Sequence, residues 1–104
     1  MKSVKVRPAQ KEVVREMYSG EPYEYYPLGK YVVAAPGVCG GRPTFKYTRL
    51  EVAFVLDLLA AGWSIEKVAH EYAASRLSAA AVKEAIGLAK EALVKSSAVL
   101  RPAT

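Results

Sequence analysis

Few side chains in this chain could assemble a catalytic centre. There is one cysteine, Cys39, and one histidine, His70, among 104 residues. A single thiol excludes an intramolecular disulfide and leaves a sulfur-based metal site short of ligands. Cys39 lies in a Gly-rich turn, where an inert small residue is the plain reading. A general base or a zinc centre would rest on His70 alone. Beside Lys67 and Glu71 on a helix, that ring reads as a solvated side chain. Ser64 and Ser78 each precede an apolar-periodic run, which makes them helix N-caps and not nucleophiles. Gly40-Gly41-Arg42-Pro43 lacks the Lys-Ser/Thr ending of a phosphate loop and serves most simply as a hairpin turn. The expectation is therefore a protein that is not an enzyme, with no cofactor and no metal, acting by binding.

Charge says what could be bound. The net charge is +5, and it is uneven. Residues 1–50 carry nine Lys/Arg against four Glu, whereas residues 51–104 carry six of each sign. From Tyr25 to Leu50 there are four basic residues and no acidic one. Such a patch attracts phosphate or an acidic protein surface, and salt weakens it; otherwise it only keeps the surface soluble. Arg42, Lys46 and Arg49 are the candidate phosphate contacts, with Arg76 and Lys83 near the start of the last helix. That helix offers Ala79, Ala80, Ala81, Lys83 and Glu84 to a DNA groove. Alanines touch thymine methyls but read no base by paired hydrogen bonds, and Glu84 opposes phosphate. Five tyrosines lie between Tyr18 and Tyr31; of these Tyr23, Tyr25 and Tyr26 either form a docking surface or pack against the protein's own bundle. The C-terminal Val99, Leu100 and Arg101 offer two apolar anchors and a guanidinium for a partner, or else a frayed end.

The elements that must position these groups are mostly helical. Pro8 to Met17 is expected to be a short helix, with Val13, Val14 and Met17 on one face and Gly20 ending it. Tyr18 to Tyr31, with Pro22 and Pro27, favours extended chain. Tyr31–Ala34 and Arg42–Tyr47 read as a β-hairpin around Pro36–Gly41, which needs helices or a second copy to pack on. Val52–Ala61 is a helix closed by Gly62. Ser64 caps a second, with Ile65, Val68, Ala69 and Tyr72 at helical spacing and Trp63 stapled to Val68. Ser78 caps a third running to about Lys95, with Val82, Ile86, Ala89 and Leu93 buried. The expected fold class is mainly α: a tri-helical helix-turn-helix bundle preceded by a short N-terminal helix and a β-hairpin. One domain is expected, divided into residues 1–30, the helix-turn-helix unit 31–95 and a flexible tail 96–104. No apolar run approaches the roughly 18–20 residues of a membrane helix. The N-terminus alternates charged and apolar residues (Lys2, Val4, Lys5, Val6, Arg7) and lacks the core of a secretory signal. A cytoplasmic address is expected.

Two stretches carry a family resemblance. One runs from Tyr31-Val32-Val33 through Pro36-Gly37-Val38-Cys39-Gly40-Gly41-Arg42-Pro43-Thr44-Phe45-Lys46-Tyr47-Thr48-Arg49-Leu50-Glu51-Val52. The other is Leu58-Leu59-Ala60-Ala61-Gly62-Trp63-Ser64-Ile65-Glu66-Lys67-Val68. Together they resemble the antitoxin-like family called domain of unknown function four-three-three. Its pattern is a Gly-Gly-(Lys/Arg)-Pro turn, Gly-Thr-Arg-Ile-Pro-Val leading into a helix, then Leu-Ala-Ala-Gly before a Ser-capped helix. The resemblance implies a hairpin-preceded helix-turn-helix of VapB type. Such a protein neutralises a PIN-like ribonuclease toxin, binds its promoter DNA and acts as a homodimer; the alternative is a DNA-binding regulator with no toxin. It also implies that the C-terminal tail docks on the toxin with Arg101 near the toxin's carboxylates. Tyr47 stands where the family has Gly, and Glu51 where it has Pro. The latter creates Thr48-x-x-Glu51, a capping box that predicts an earlier helix start. The Tyr72–Val82 connection is about two residues longer than is usual in the family, and Ala80-Ala81 replaces an acidic pair.

Overall fold

Two glycine-containing turns and three capped helices set the architecture. The computed structural model describes residues 12–99. Strand β1 (Val14–Tyr18) turns through Ser19-Gly20 into β2 (Glu21–Pro27), β3 (Val32–Ala34) and β4 (Pro43–Phe45). The sheet order is β1-β2-β3-β4, every neighbouring pair antiparallel. Helices α1 (Val52–Ala60), α2 (Ile65–Glu71) and α3 (Ala79–Val99) follow.

The mainly α expectation is thereby corrected to a four-stranded antiparallel sheet followed by three helices. The helix expected over Pro8–Met17 is replaced by β1 from Val14 onward; Pro8 to Lys11 lie outside the described residues. In β1 the half-buried residues are Val14, Glu16 and Tyr18, and the exposed ones Arg15 and Met17, so the period is two and not 3.6. Ser19 and Gly20 both have positive φ (53° and 80°), as a tight two-residue hairpin turn requires. Gly20 therefore turns a strand where it was expected to end a helix.

The hairpin expected over residues 31–47 forms as β3 and β4, with Val32 opposite Phe45. Alternation along β3 buries both sides. Val32 enters the helical core with Phe45, Val55, Val68, Leu77 and Val82. Val33 packs with Tyr25 and Ala35 in a second cluster.

The helices follow their caps. Ser64 Oγ accepts the Lys67 N–H at 3.0 Å, and Ser78 Oγ accepts the Ala81 N–H at 3.1 Å. The end of α1 is a Schellman closure. Trp63 N–H reaches the Leu58 carbonyl at 3.1 Å, Gly62 N–H the Leu59 carbonyl at 3.0 Å, and Gly62 has φ +103°. The Thr48–Glu51 capping box does not form. Thr48 Oγ1 donates to the Phe45 carbonyl at 2.7 Å and accepts from Leu50 N–H at 3.0 Å. Glu51 is the residue flanking α1, and the helix starts at Val52.

Helix α3 departs from expectation twice. It buries Ala81, Val82 and Ala85, while Ile86 and Leu93 are 38% and 68% exposed and Ala89 is exposed. Small residues let α3 approach the core closely, so the packing face centres on the alanines. It also runs to Val99, so Ser96–Val99 belong to the helix and not to a tail; residues 100–104 lie outside the described residues. Among the described residues, no helix is long and apolar enough to cross a membrane.

Two polar devices bind sheet and helices together. Glu84 on α3 accepts three successive backbone N–H groups from the β2–β3 turn, Lys30 at 2.8 Å, Tyr31 at 2.7 Å and Val32 at 3.0 Å. A Cβ on Gly29 would lie 2.6 Å from the Glu84 carboxyl carbon. At the other end of the sheet, Glu16 accepts the hydroxyls of Tyr25 at 2.7 Å and Tyr47 at 2.5 Å. Those bonds, Tyr47 first and Tyr25 second, hold the Glu16 carboxyl below its usual pKa, with Lys46 adding to them.

Glu84→Ala strands the turn's N–H groups and is expected to cost about 2–3 kcal/mol, and Gly29→Ala about 1–3 kcal/mol by crowding. Because both break one interaction, the double variant should lose clearly less than the sum. Strict additivity in denaturant titrations would contradict the arrangement. The depressed Glu16 pKa stabilises the fold fully above the unfolded value near 4.3, and that gain is lost as pH falls through the lower folded value. The melting-temperature gap between the parent protein and Glu16→Gln should accordingly be widest near neutral pH and close in acid; a gap independent of pH would refute it.

Candidate functional site

Between the β-sheet and the turn preceding α3 lies a half-open groove of about 750 Å³. The β-side wall comprises Lys30 and Tyr31 in the turn before β3, and Lys46 to Arg49 after β4. The α-side wall comprises Ala74 to Leu77 and Ala81. Glu84 fixes the first of these, because its carboxylate holds Lys30 and Tyr31 by their backbone. The turn between α2 and α3 fixes the second: Arg76 takes a left-handed conformation, φ 62°, closing the short helical turn Ala73–Ser75.

An aromatic group borders the groove. Tyr18 and Tyr47 stack with centroids 4.4 Å apart and planes 12° apart. Tyr23 tilts against Tyr47 at 5.3 Å. Tyr47 has φ +68°, a conformation that favours glycine. The tyrosine is held there by three contacts: its N–H donates to Tyr23 Oη at 3.0 Å, its hydroxyl donates to Glu16, and its ring lies on Tyr18. The glutamate bond keeps the Tyr47 phenol protonated, with its pKa above the usual value.

The expected phosphate contacts divide. Lys46, Arg49 and Arg76 line the groove together. Lys46 sits 4.8 Å and 5.0 Å from the Tyr25 and Tyr47 ring centroids and 3.8 Å from Glu16. Tyr25 first and Tyr47 after it hold its ammonium above the usual pKa. Arg42 is not in the groove. It makes a two-point pair with Glu51, both distances 3.0 Å, which raises the arginine's pKa and lowers the glutamate's. Lys83 stands exposed on α3, outside the groove lining. Glu84, expected to oppose phosphate, is turned to the sheet.

The expected partner contacts divide too. Tyr25 is 4% exposed and packs within the protein, while Tyr23 is half-buried and its hydroxyl accepts the Tyr47 N–H. Tyr26 is half-buried on β2 opposite Ala34. Val99 ends α3, while Leu100 and Arg101 lie outside the described residues. Sequence reasoning passed over Lys30, although it belongs to the acid-free run Tyr25–Leu50, and over Tyr18 and Tyr31 as groove residues. Cys39 is half-buried with Sγ 3.4 Å from the Arg49 carbonyl, and His70 is exposed. Among the described residues, no three His, Cys, Asp or Glu side chains gather in a way that could hold a metal ion.

No curated protein and no solved structure matches the chain. A family model described as "Protein of unknown function (DUF433)" matches residues 32–89, from the start of β3 to the middle of α3. That stretch is more than half of the chain and contains the Ser-capped helices, the Glu84 anchor and the helical wall of the groove; the chain belongs to this family.

Proposed function

We propose that this chain is a non-enzymatic helix-turn-helix adaptor, the antitoxin of a toxin–antitoxin pair, which binds and neutralises a PIN-like ribonuclease. The observation that carries this reading is the distal half of α3. At about 1.5 Å per residue the helix is roughly 30 Å long, but its core contacts end at Leu88. Beyond that point Leu93 and Val94 are 68% and 56% exposed. Ala89, Leu93 and Ser96 follow one another at helical spacing, and Lys90 and Lys95 flank them. An amphipathic helix that continues past its own core suits an apolar groove on another protein. The cations beside it suit the acidic rim of a metal-dependent nuclease. Cytoplasmic action fits the same reading.

A second reading, a DNA-binding regulator with no toxin, draws on the α2–α3 unit. There Lys83 and Arg76 stand exposed at the start of the helix that would enter a major groove. The alanines beside them supply little base discrimination, so such binding would be governed by phosphate contacts.

Co-expression with the product of an adjacent nuclease gene should yield a complex on gel filtration. Leu93→Asp, an exposed position whose change leaves the core untouched, should abolish it and release ribonuclease activity, and deleting residues 96–104 should do the same. Inhibition unchanged in both variants would eliminate the antitoxin reading. For the second, affinity for duplex DNA should fall steeply with salt, and Lys83→Gln should flatten the slope by about 0.9; binding indifferent to salt would reject it.

A further inference from the structure

The groove beside α3 is built differently from the exposed face of that helix. Its lining includes Lys30, Lys46, Arg49 and Arg76 and no Asp or Glu. Two of these cations are partly engaged: Lys46 by Glu16 and its tyrosines, Lys30 by the Tyr31 ring at 5.3 Å. Arg49 and Arg76 are exposed and have no carboxylate within ion-pair distance among the described residues. Aromatic rings meet the same space, from Tyr18, Tyr31 and Tyr47. Backbone strain converges there as well. Four described non-glycine residues have positive φ, and two of them, Tyr47 and Arg76, stand on opposite walls. Strain of this kind persists where the surroundings hold a surface in one shape, and such places coincide with binding sites.

We propose that this groove binds single-stranded nucleic acid, taking one nucleotide unit with its phosphate at Arg49 and Arg76 and its base against the tyrosine rings. A volume of about 750 Å³ falls within the roughly 300–1,000 Å³ of clefts that enclose small ligands. Arginine's planar fork matches phosphate oxygens in pairs. A duplex presents phosphates on a rigid convex surface and keeps its bases stacked inside, which leaves the rings in this recess without a ligand. Inorganic phosphate leaves them so too. An unpaired strand can turn a base into the recess while its backbone follows the cations, as in other sites that combine stacking with a cationic track. The inference rests on the groove alone. Arg76 alone is shared with the duplex reading; neither distal α3 nor Lys83 enters the inference.

The test is fluorescence anisotropy with a labelled 12-nucleotide single strand, the same sequence as a duplex, and a nucleoside monophosphate as competitor. The variants are Arg49→Gln with Arg76→Asn (asparagine tolerates the left-handed conformation at 76), Tyr18→Leu, and Lys83→Gln as control, each shown folded by circular dichroism and melting. The single strand should bind at least tenfold more tightly than the duplex. The double arginine variant should weaken it tenfold or more and reduce its salt slope by about 0.7, the value for the one phosphate the two arginines share. Tyr18→Leu should weaken it severalfold, and Lys83→Gln should leave it unchanged. A duplex bound as tightly as the strand, displacement by the monophosphate at comparable concentration, or strand affinity untouched by the arginine changes would each overturn the proposal. Tight duplex binding lost in Lys83→Gln would overturn it while supporting the DNA regulator, so the two readings fail separately.

Discussion

A single carboxylate decides where the sheet sits on the helices. Glu84 receives the N–H groups of Lys30, Tyr31 and Val32 in succession, a concave run of donors of the kind that binds anions elsewhere. Here the anion is built in. Hydrogen bonds to a charged group contribute about 1.5–3 kcal/mol each when taken singly, and three on one carboxylate share that charge, so their sum is smaller. Their geometric effect is the larger one. They place Val32 over the α3 core, set the sheet wall of the groove, and require Gly29 to have no side chain where the carboxylate lies. The carboxylate thus adds a polar anchor to the apolar contact that Val32 and Phe45 make with Val82 and its neighbours.

The opposite end of the sheet is held by phenols. Glu16, Tyr25 and Tyr47 connect β1, β2 and the loop after β4 through one acceptor. This explains how a tyrosine occupies a left-handed position that glycine would take without penalty. The penalty falls on the backbone, and the compensation comes from the Tyr18 stack, the Tyr23 hydroxyl and Glu16. None of these partners lies within the matched residues 32–89. Tyr47 and the β1–β2 hairpin therefore belong together: the left-handed tyrosine is tolerable because the hairpin is present, and the hairpin is anchored by the tyrosine.

Glu16 and Met17 hid the β1–β2 hairpin from a reading of the sequence. In Val14-Arg15-Glu16-Met17-Tyr18 the inward positions are Val14, Glu16 and Tyr18, and the exposed ones include Met17, 68% accessible. A glutamate inside and a methionine outside invert the usual alternation, so helical spacing of Val13, Val14 and Met17 competed successfully on pattern alone. By contrast, the Ser64 and Ser78 caps and the Gly62 closure were legible, because each depends on a local rule with one residue type at one place. The face of α3 was legible only in part. Of the expected face Val82 is buried, but Ile86, Ala89 and Leu93 are exposed, and the rest of the contact is made by Ala81 and Ala85, whose small size permits the close approach. Of the site, Lys46 and Arg49 were legible within the acid-free run Tyr25–Leu50, and Arg76 as a phosphate contact near the start of the last helix. Their convergence with Lys30 was not, since it depends on Glu84 reaching more than fifty residues back along the chain.

How the cations are distributed follows from which carboxylates are already engaged. Glu51 takes Arg42, Glu24 takes Arg15, and Glu16 takes the phenols and part of Lys46. Glu84, the acidic residue nearest the groove on α3, is saturated by backbone donors. Each of these pairings holds the carboxylate on its own partner, and none of these acids lines the groove beside Arg49 and Arg76. The groove is therefore cationic less because it gathers many basic residues than because neighbouring acids are committed to holding the fold. Stability and binding thus draw on the same few carboxylates. A substitution that frees Glu84 or Glu51 would loosen the structure and, in the same step, introduce into or beside the groove the charge that most opposes an anionic ligand.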